Sequence, residues 1–267
     1  MSFPGNQEAE KPGTAPALSL IFPFYDEEAN VRRVVKDLVG ILDHLGTDYE
    51  LFLVNNGSRD RTGELIRDLA RVHPEIVAHR VEVNEGYGNG VLSAIPLARA
   101  AWVGIIPCDG QVDAEDVVRL FKAARASSGR VLAKVRRRFR MDGLRRKLIS
   151  IAYQVFVRML WPGLETIDVN GSPKIVPRDR LVAMQLESKG WLLDPELMIK
   201  AYYAGLRVLE LNVFGRMRGA GLSHVRASTC WEFVRALVGA RVSGCWRPAL
   251  PLTGPAPARS PLSPPAR

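Results

Sequence analysis

The stretch "ALSLIFPFYDEE" (Ala17–Glu28) runs from apolar residues straight into an acidic turn. Ala17–Phe24 is apolar enough for a strand covered on both faces, as in the middle of a parallel sheet. From Glu27 to Leu45 the apolar spacing changes to that of a helix. A buried strand, a polar turn and a helix form the repeating unit of an α/β sheet. The same order recurs with "YELFLVNN" (Tyr49–Asn56), "IVAHRVEV" (Ile76–Val83) and "AWVGIIPC" (Ala101–Cys108). Helical segments follow at Thr62–Val72, Gly88–Arg99 and Ala114–Ala126. Strands alternating with helices of this length imply βαβ units and a doubly wound, Rossmann-like α/β fold, its mostly parallel sheet flanked by helices.

In such sheets ligands bind beyond the carboxyl ends of the strands. Those ends carry "FYDEE" (Phe24–Glu28), "NNGSRD" (Asn55–Asp60), "NEGYGNG" (Asn84–Gly90) and "CDGQVD" (Cys108–Asp113). Any one of these turns could simply cap the helix after it. Four at one edge point to a site. The turn Gly86–Gly90 lacks the GxGxxG spacing of a dinucleotide fingerprint and follows the third strand instead of the first. Its glycines are read as letting the backbone approach a ligand or a neighbouring strand.

The chain has 267 residues, 47% hydrophobic and 24% charged, enough for one substantial core. A net charge of +9 and a pI near 9.8 call for an anionic partner, whether nucleotide, phosphorylated lipid, membrane or nucleic acid. Cys108, Cys230 and Cys245 form no CxxC pair, which argues against a zinc site or a disulfide framework and suits a reducing cytoplasm. The first residues lack the basic and apolar regions of a secretory signal, and no run of about 18 apolar residues could span a bilayer. Residues 1–16 and the Pro-rich 247–267 are expected to be disordered.

The ordered series "FPFYDEE", "LVNNGSRDRT", "NEGYGNG" and "PCDGQ" resembles glycosyltransferase family 2, inverting enzymes of GT-A fold that use nucleotide sugars. Within that family it is most like the polyprenyl-phosphate and dolichyl-phosphate sugar synthases. The likeness continues through "DVNGSPKIVPR" (Asp168–Arg178), "WLLDPELMIKAYYAG" (Trp191–Gly205) and "RGAGLSH" (Arg218–His224). It implies a GT-A domain over 17–226, leaving 227–246 as a helical extension.

The resemblance also implies roles. Pro23, Tyr25, Asp26 and Glu27 match the first-strand turn that meets base and ribose, with Asp26 where Asn is usual. Asn55, Gly57 and Ser58 belong to a turn that is usually Asp-Asp-Gly-Ser; here an Asn carbonyl would accept from the base without the charge. Gly88 would border the nucleotide sugar. At the fourth strand end, aligning Gln111 with the family's Gln makes Asp109 the second acid of a D-x-D and puts Pro107 where the first would be. Asp109 and Gln111 would then hold Mg²⁺ or Mn²⁺ only together with the donor diphosphate, because such ions take several ligands from phosphate and water. Asp113 and Asp116 are read as caps of the following helix. Arg218, in R-x-x-G-x-S with Gly221 and Ser223, would clamp the diphosphate, with Arg216 close by.

Outside the sheet, "KVRRRFRMDGLRRKLISIAYQVFVRMLWPGL" (Lys134–Leu164) is the most distinctive segment. Leu144, Leu148, Ile151, Ala152, Val155 and Met159 share one helical stripe, widened by Ile149, Phe156 and Leu160. Arg145, Arg146 and Lys147 crowd its start, and Trp161 ends it. A basic flank joined to an apolar face suits either a core helix beside a basic loop or an acceptor-side helix lying in a membrane interface. The resemblance favours the second, with those three cations holding an acceptor phosphate and the chain attached peripherally at the inner face of the membrane, in the cytoplasm.

Such an acceptor would be largely dianionic at pH 7 and would need no general base. An alcohol would need one, and Asp194, or failing that Glu196, is the candidate. With a phosphate acceptor, Asp194 is expected to cap the next helix, with Pro195 at its first position. The leading reading is sugar transfer from a nucleotide-diphosphate sugar to a polyprenyl phosphate. The alternatives are the same donor with a soluble alcohol, or a nucleotide-sugar binding protein without turnover. Nucleic-acid binding through "KVRRRFR" is disfavoured for want of a reader fold around it.

Overall fold

The structure is a computed structural model and describes residues 15–46, 48–108, 113–127, 130–139, 144–166, 168–214 and 227–247. Seven strands form one sheet: β1 (Leu18–Phe24), β2 (Tyr49–Asn56), β3 (Ile76–Val81), β4 (Trp102–Ile105), β5 (Val131–Phe139), β6 (Lys174–Pro177) and β7 (Arg207–Phe214). Their order is β3-β2-β1-β4-β6-β5-β7, with only β6 antiparallel to its neighbours. The expected four-strand parallel half is present. Beyond β4 the sheet continues into three strands that the apolar pattern did not mark.

The helices are α1 (Glu28–Leu42), α2 (Thr62–Val72), α3 (Tyr87–Ala94), α4 (Ala114–Ala126), α5 (Leu144–Leu160), α6 (Arg178–Ala183), α7 (Leu193–Tyr203) and α8 (Ala227–Ser243). Two expected helices are shorter than their apolar spacing suggested. The first ends at Leu42 and passes into a 3-10 turn closed by Gly46 at φ +67°; the third stops at Ala94 before a 3-10 turn containing Pro96. Pro96 has no N–H to continue the helical ladder.

Strand alternation sends side chains to two cores. Leu18, Leu20, Phe22, Leu51 and Leu53 pack under α1, α2 and α4, where Val35, Leu38, Ile66, Leu120 and Phe121 are buried. Ile21, Phe52, Val54 and Val103 face the other side, covered by α3, α5, α7 and α8 through Val91, Val157, Leu197 and Leu237. β1 is buried throughout. β3, expected to be covered on both faces, is buried only at Ile76 and then alternates half-buried and exposed residues, because it is the sheet's edge.

Pro23 has its place in this order. Ile21 O accepts from Ile106 N at 3.0 Å, the last tie between β1 and β4. Pro23, two residues on, faces the same side after that pairing has ended, so its missing N–H leaves no gap.

The segment 134–164 divides. Lys134–Phe139 belongs to β5, and the helix begins only at Leu144. The "KVRRRFR" run is therefore strand, and Lys134 is fully buried against Glu210 at 3.1 Å. It cannot serve as a surface cation for nucleic acid. Trp161, expected at a membrane interface, is 3% exposed: it stacks with Trp246 and its indole N–H donates to the Tyr203 hydroxyl at 3.1 Å.

Candidate functional site

The carboxyl ends of β1, β2, β3 and β4 share one edge. The start of antiparallel β6 joins it, because Lys174 pairs with Ile105, the last residue of β4. Lys134 of β5 lies level with Lys174.

At the β1 and β2 ends the two turns are laced together. Asp26 takes φ +51°, a left-handed conformation that Asn and Asp tolerate best among non-glycine residues, so either suits this position. Its carboxylate accepts from Arg59 N at 2.8 Å, and its own N–H donates to Ser58 Oγ at 3.2 Å. Glu27 N donates to Thr62 Oγ1 at 2.9 Å, Glu28 N to Asp60 Oδ2 at 3.1 Å, and Arg61 N to Glu28 Oε2 at 3.0 Å. The Glu27 carboxylate accepts from Asn30 Nδ2 at 2.6 Å. Tyr25 is left pointing outward, 42% exposed.

Asn55 and Asn56 both serve the turns, and Asn56 has a structural reason to be an amide. Asn55 Oδ1 accepts from Ser58 N at 3.0 Å, closing the turn through Gly57 at φ +74°. Asn56 donates its amide to Gly86 O at 2.9 Å and to Asn84 Oδ1 at 3.4 Å. A carboxylate there would face two acceptors with nothing to donate. Beside Asn55 and Ser58 lies an open cleft of about 600 Å³, lined by Arg59, Asp60, Arg67 and Arg80 among others.

Asp60 sits at the mouth of that cleft. Partial burial would raise its pKa, but hydrogen bonds from the Thr62 hydroxyl and from the Thr62 and Glu28 N–H groups outweigh this and hold it low. A carboxyl lowered by folding stabilises the protein above its unfolded pKa, and that contribution fades as pH falls toward the folded value. Asp60→Asn is therefore expected to cost no more than about 1 kcal/mol at pH 7, since solvent screens a carboxylate this open. The gap from wild type should begin to narrow below about pH 4, the ordinary carboxylate range, and close only below the lowered folded value. Urea melts of both proteins at pH 7 and pH 3.5 check this; a pH-independent gap would contradict it.

The Gly-rich turn packs closely against another loop. A Cβ at Gly88 would overlap the Ser188 carbonyl, and one at Gly86, where φ is +119°, would lie 2.6 Å from Lys189 O. The glycines instead admit the backbone of residues 188–190, and Asn89 N donates to Lys189 O at 2.8 Å. This packing gives Gly88 a structural reason to be glycine, beside the role the resemblance implies for it. Tyr87 stacks on Trp191 across this contact, with ring centroids 5.3 Å apart.

On the β6 side, Lys174 is fully buried and its ammonium donates to the Asp194 carboxylate and to Ser172 Oγ at 3.3 Å. Lys134, also fully buried, donates to Glu210 and to Val135 O at 3.2 Å. Burial pushes the Lys134 ammonium down, opposed by the charges of Glu210 and Asp168. The Tyr153 phenol of α5 lies close by, pushed up by burial and by Asp194. Asp194 is thus neither a cap nor next to one. Helix α7 begins at Leu193 with Leu192 at the capping position, so Pro195 is its third residue. Glu196, the other acid considered, is fully buried and accepts from Glu187 N and Ser188 N, the latter at 2.7 Å.

Asp113 does stand at the capping position of α4, but without a side-chain hydrogen bond to the helix end. Asp116 instead pairs with Arg119 at 3.0 Å. Asp109, Gln111 and Arg218, with Arg216, Gly221 and Ser223, lie outside the described residues. Arg145, Arg146 and Lys147 belong to the first turn of α5, but their side chains are likewise outside the description. Among the described residues no group of three or more His, Cys, Asp or Glu is placed to hold a metal ion. The sequence pattern does not single out Lys134, Lys174, Glu210 or Trp191; Lys134 stands at the head of the basic run "KVRRRFR", where it has the signature of surface charge.

Residues 19–180, more than half of the chain, match the model of glycosyl transferase family 2. The chain belongs to that family. This glycosyltransferase-family chain is similar to a dolichyl-phosphate beta-glucosyltransferase of Trichomonas vaginalis, 25% identical over 73% of this chain and 64% of that one. It is also similar to a dolichol-phosphate mannosyltransferase of Pyrococcus furiosus, 25% identical over 82% and 62% respectively. It spans a little under two thirds of the length of either relative. In fold it resembles glucosyl-3-phosphoglycerate synthase from Mycobacterium tuberculosis, solved with Mn²⁺, UDP and glucosyl-3-phosphoglycerate: TM-score 0.66 at 18% identity, covering 86% of this chain and 80% of that one. The architecture is the GT-A type expected of the family.

Proposed function

We propose that this protein transfers a sugar, with inversion, from a nucleotide-diphosphate sugar to a polyprenyl phosphate at the cytoplasmic face of a membrane. One observation carries the acceptor side: the stripe on α5 is bare. Leu148, Ile151, Val155 and Met159 are 57%, 51%, 53% and 74% exposed, and Ala152 is exposed between them. An apolar patch of this extent on a basic protein is what an anionic bilayer would cover. Arg158, Arg235 and Arg241 are exposed around it on α5 and α8, and Arg241 ties the two helices by donating to Leu160 O at 2.8 Å. No described helix is long and apolar enough to cross a membrane.

In this reading the nucleotide lies along the β1 and β2 turns, its base near Asn55, Gly57 and Ser58, and Pro23, Tyr25, Asp26 and Glu27 line the same edge. Arg145, Arg146 and Lys147 hold the acceptor phosphate at the start of α5. An acceptor oxygen bonds to the sugar's C1 as the bond from C1 to the donor phosphate breaks, and the electron pair leaves with the nucleoside diphosphate. The acceptor dianion carries no proton to remove. That agrees with Asp194, whose carboxylate is already engaged by a buried ammonium. Arg218 neutralises charge on the departing diphosphate. A Mg²⁺ or Mn²⁺ ion held by Asp109 and Gln111 would supply further charge stabilisation there when bound.

A soluble phosphate-bearing acceptor is the second reading, favoured by the likeness in fold to a synthase solved with phosphoglyceric acid. The test offers labelled nucleotide sugars with polyprenyl phosphate in anionic liposomes, and separately with soluble phosphates and alcohols. Label is expected in the lipid, falling at least tenfold when Val155 and Met159 are both changed to Glu. Transfer to a soluble acceptor only would refute the lipid reading; donor binding without transfer to any acceptor would leave a binding protein.

A further inference from the structure

One aromatic pair at this edge has no part in the chemistry above, and its position is unusually well defined. Trp191 is 54% exposed, yet it does not belong to a loose loop. The loop before α7 is held from beneath by the buried Glu196 carboxylate, which accepts from Glu187 N and Ser188 N and pairs with Lys200 at 2.7 Å. Lys200 also donates to Gln185 O at 2.7 Å. From the side the loop is pinned by Asn89 N on Lys189 O and by Lys189 with Glu85 at 2.7 Å. The indole stacks on Tyr87 at an interplanar angle of 9°, so its ring plane is fixed while much of its surface stays open to solvent.

Its surroundings place this open surface over the edge. Tyr87 opens α3, and a Cβ at Gly90 in that same helix would lie 3.0 Å from both Pro23 and Asn56, at the ends of β1 and β2. Three residues after Trp191, Asp194 sits on Lys174 beside the end of β4. Trp191 therefore stands between the turns assigned to the nucleotide and the side assigned to the acceptor. What joins those two sides during transfer is the sugar. A pyranose presents C–H groups of partial positive charge, and the face of an indole is its electron-rich side. Folding gains little from an indole kept half in water, whereas a ligand ring laid on it would bury that surface.

We propose that Trp191, backed by Tyr87, is the platform against which the hexopyranose of the donor packs. The proposal rests on the nucleotide-sugar reading and adds to it the residue that senses the sugar apart from the nucleotide. It predicts a selective loss. Calorimetric titrations with UDP-glucose, GDP-mannose, UDP and GDP, all with Mn²⁺, compare wild type with Trp191→Ala and Trp191→Phe. Trp191→Ala is expected to weaken whichever nucleotide sugar wild type binds about five- to tenfold, the scale of an aromatic contact. The matching nucleoside diphosphate should change by less than about twofold, and Trp191→Phe should recover most of the loss. Equal weakening of sugar and diphosphate would overturn the platform in favour of base stacking or a purely structural role. Unchanged sugar binding in Trp191→Ala would also overturn it while leaving the donor reading standing. Wild type that binds none of the four would overturn the platform for a glucosyl or mannosyl donor, and would exclude UDP and GDP as the nucleotide of the donor reading.

Discussion

Replacing Lys174 with alanine is expected to destabilise the protein by about 3–5 kcal/mol, the cost of removing one partner of a buried ion pair. The ammonium is fully buried, its listeners are the Asp194 carboxylate and Ser172 Oγ, and Asp194 also bears on the Tyr153 phenol. Alanine leaves that carboxylate, which is largely buried, without the ammonium it is paired with. The double change Lys174→Met with Asp194→Leu removes both charges at similar volume, and such replacements are often neutral or stabilising. Most of the lost stability should then return. Urea denaturation of the single and double variants decides the matter: a single variant within about 1 kcal/mol of wild type would mean that water reaches the pair. If the double variant is stable and still transfers sugar, Asp194 has no base role; if it is stable but inactive only toward alcohols, the soluble-acceptor reading gains.

Asp109→Ala is expected to leave folding intact and remove on the order of 2–4 kcal/mol of transition-state stabilisation, a fall in kcat of roughly 30- to 1000-fold. The reasoning is electrostatic. In the proposed alignment Pro107 stands where the first acid of the family's D-x-D would be and Asp109 is the second, so a single carboxylate would serve where two are usual. Losing it would remove the carboxylate proposed to hold a divalent ion beside the diphosphate. Asp109→Asn keeps an oxygen ligand and should lose less. Steady-state rates with and without EDTA make the test specific: the alanine variant should show little further loss on chelation, whereas wild type should drop toward it. Unchanged activity in Asp109→Ala would end the metal assignment.

The parallel half of the sheet was legible because its strands are continuous apolar runs ended by turn chemistry. β5, β6 and β7 were not, and the reasons are particular. β5 reads "VLAKVRRRF", with Lys134 breaking the apolar run and three arginines after it; β6 is only "KIVP" and begins with another lysine. Lysine is rarely buried without a partner. The partners that permit it here, Glu210 and Asp194, lie 76 and 20 residues away, where no local pattern reaches. The same distance hid the use of the glycines at 86 and 88, which answer to Ser188 and Lys189. The family motifs at the β1 and β2 ends were visible as residues, but that they bind one another first could be seen only in three dimensions. Trp161 was misjudged because a terminal tryptophan has the same signature whether it meets lipid or a second tryptophan.

The lacing of the β1 and β2 turns bears on thermodynamics as well as shape. Their backbone N–H groups at 26, 27, 28, 59 and 61 are already spoken for by side chains of the opposite turn. A ligand settling on this edge does not have to freeze a disordered loop, so little of its interaction energy is consumed in ordering the protein. Weak contacts, such as an amide in place of a carboxylate at Asn55, can then suffice for useful affinity.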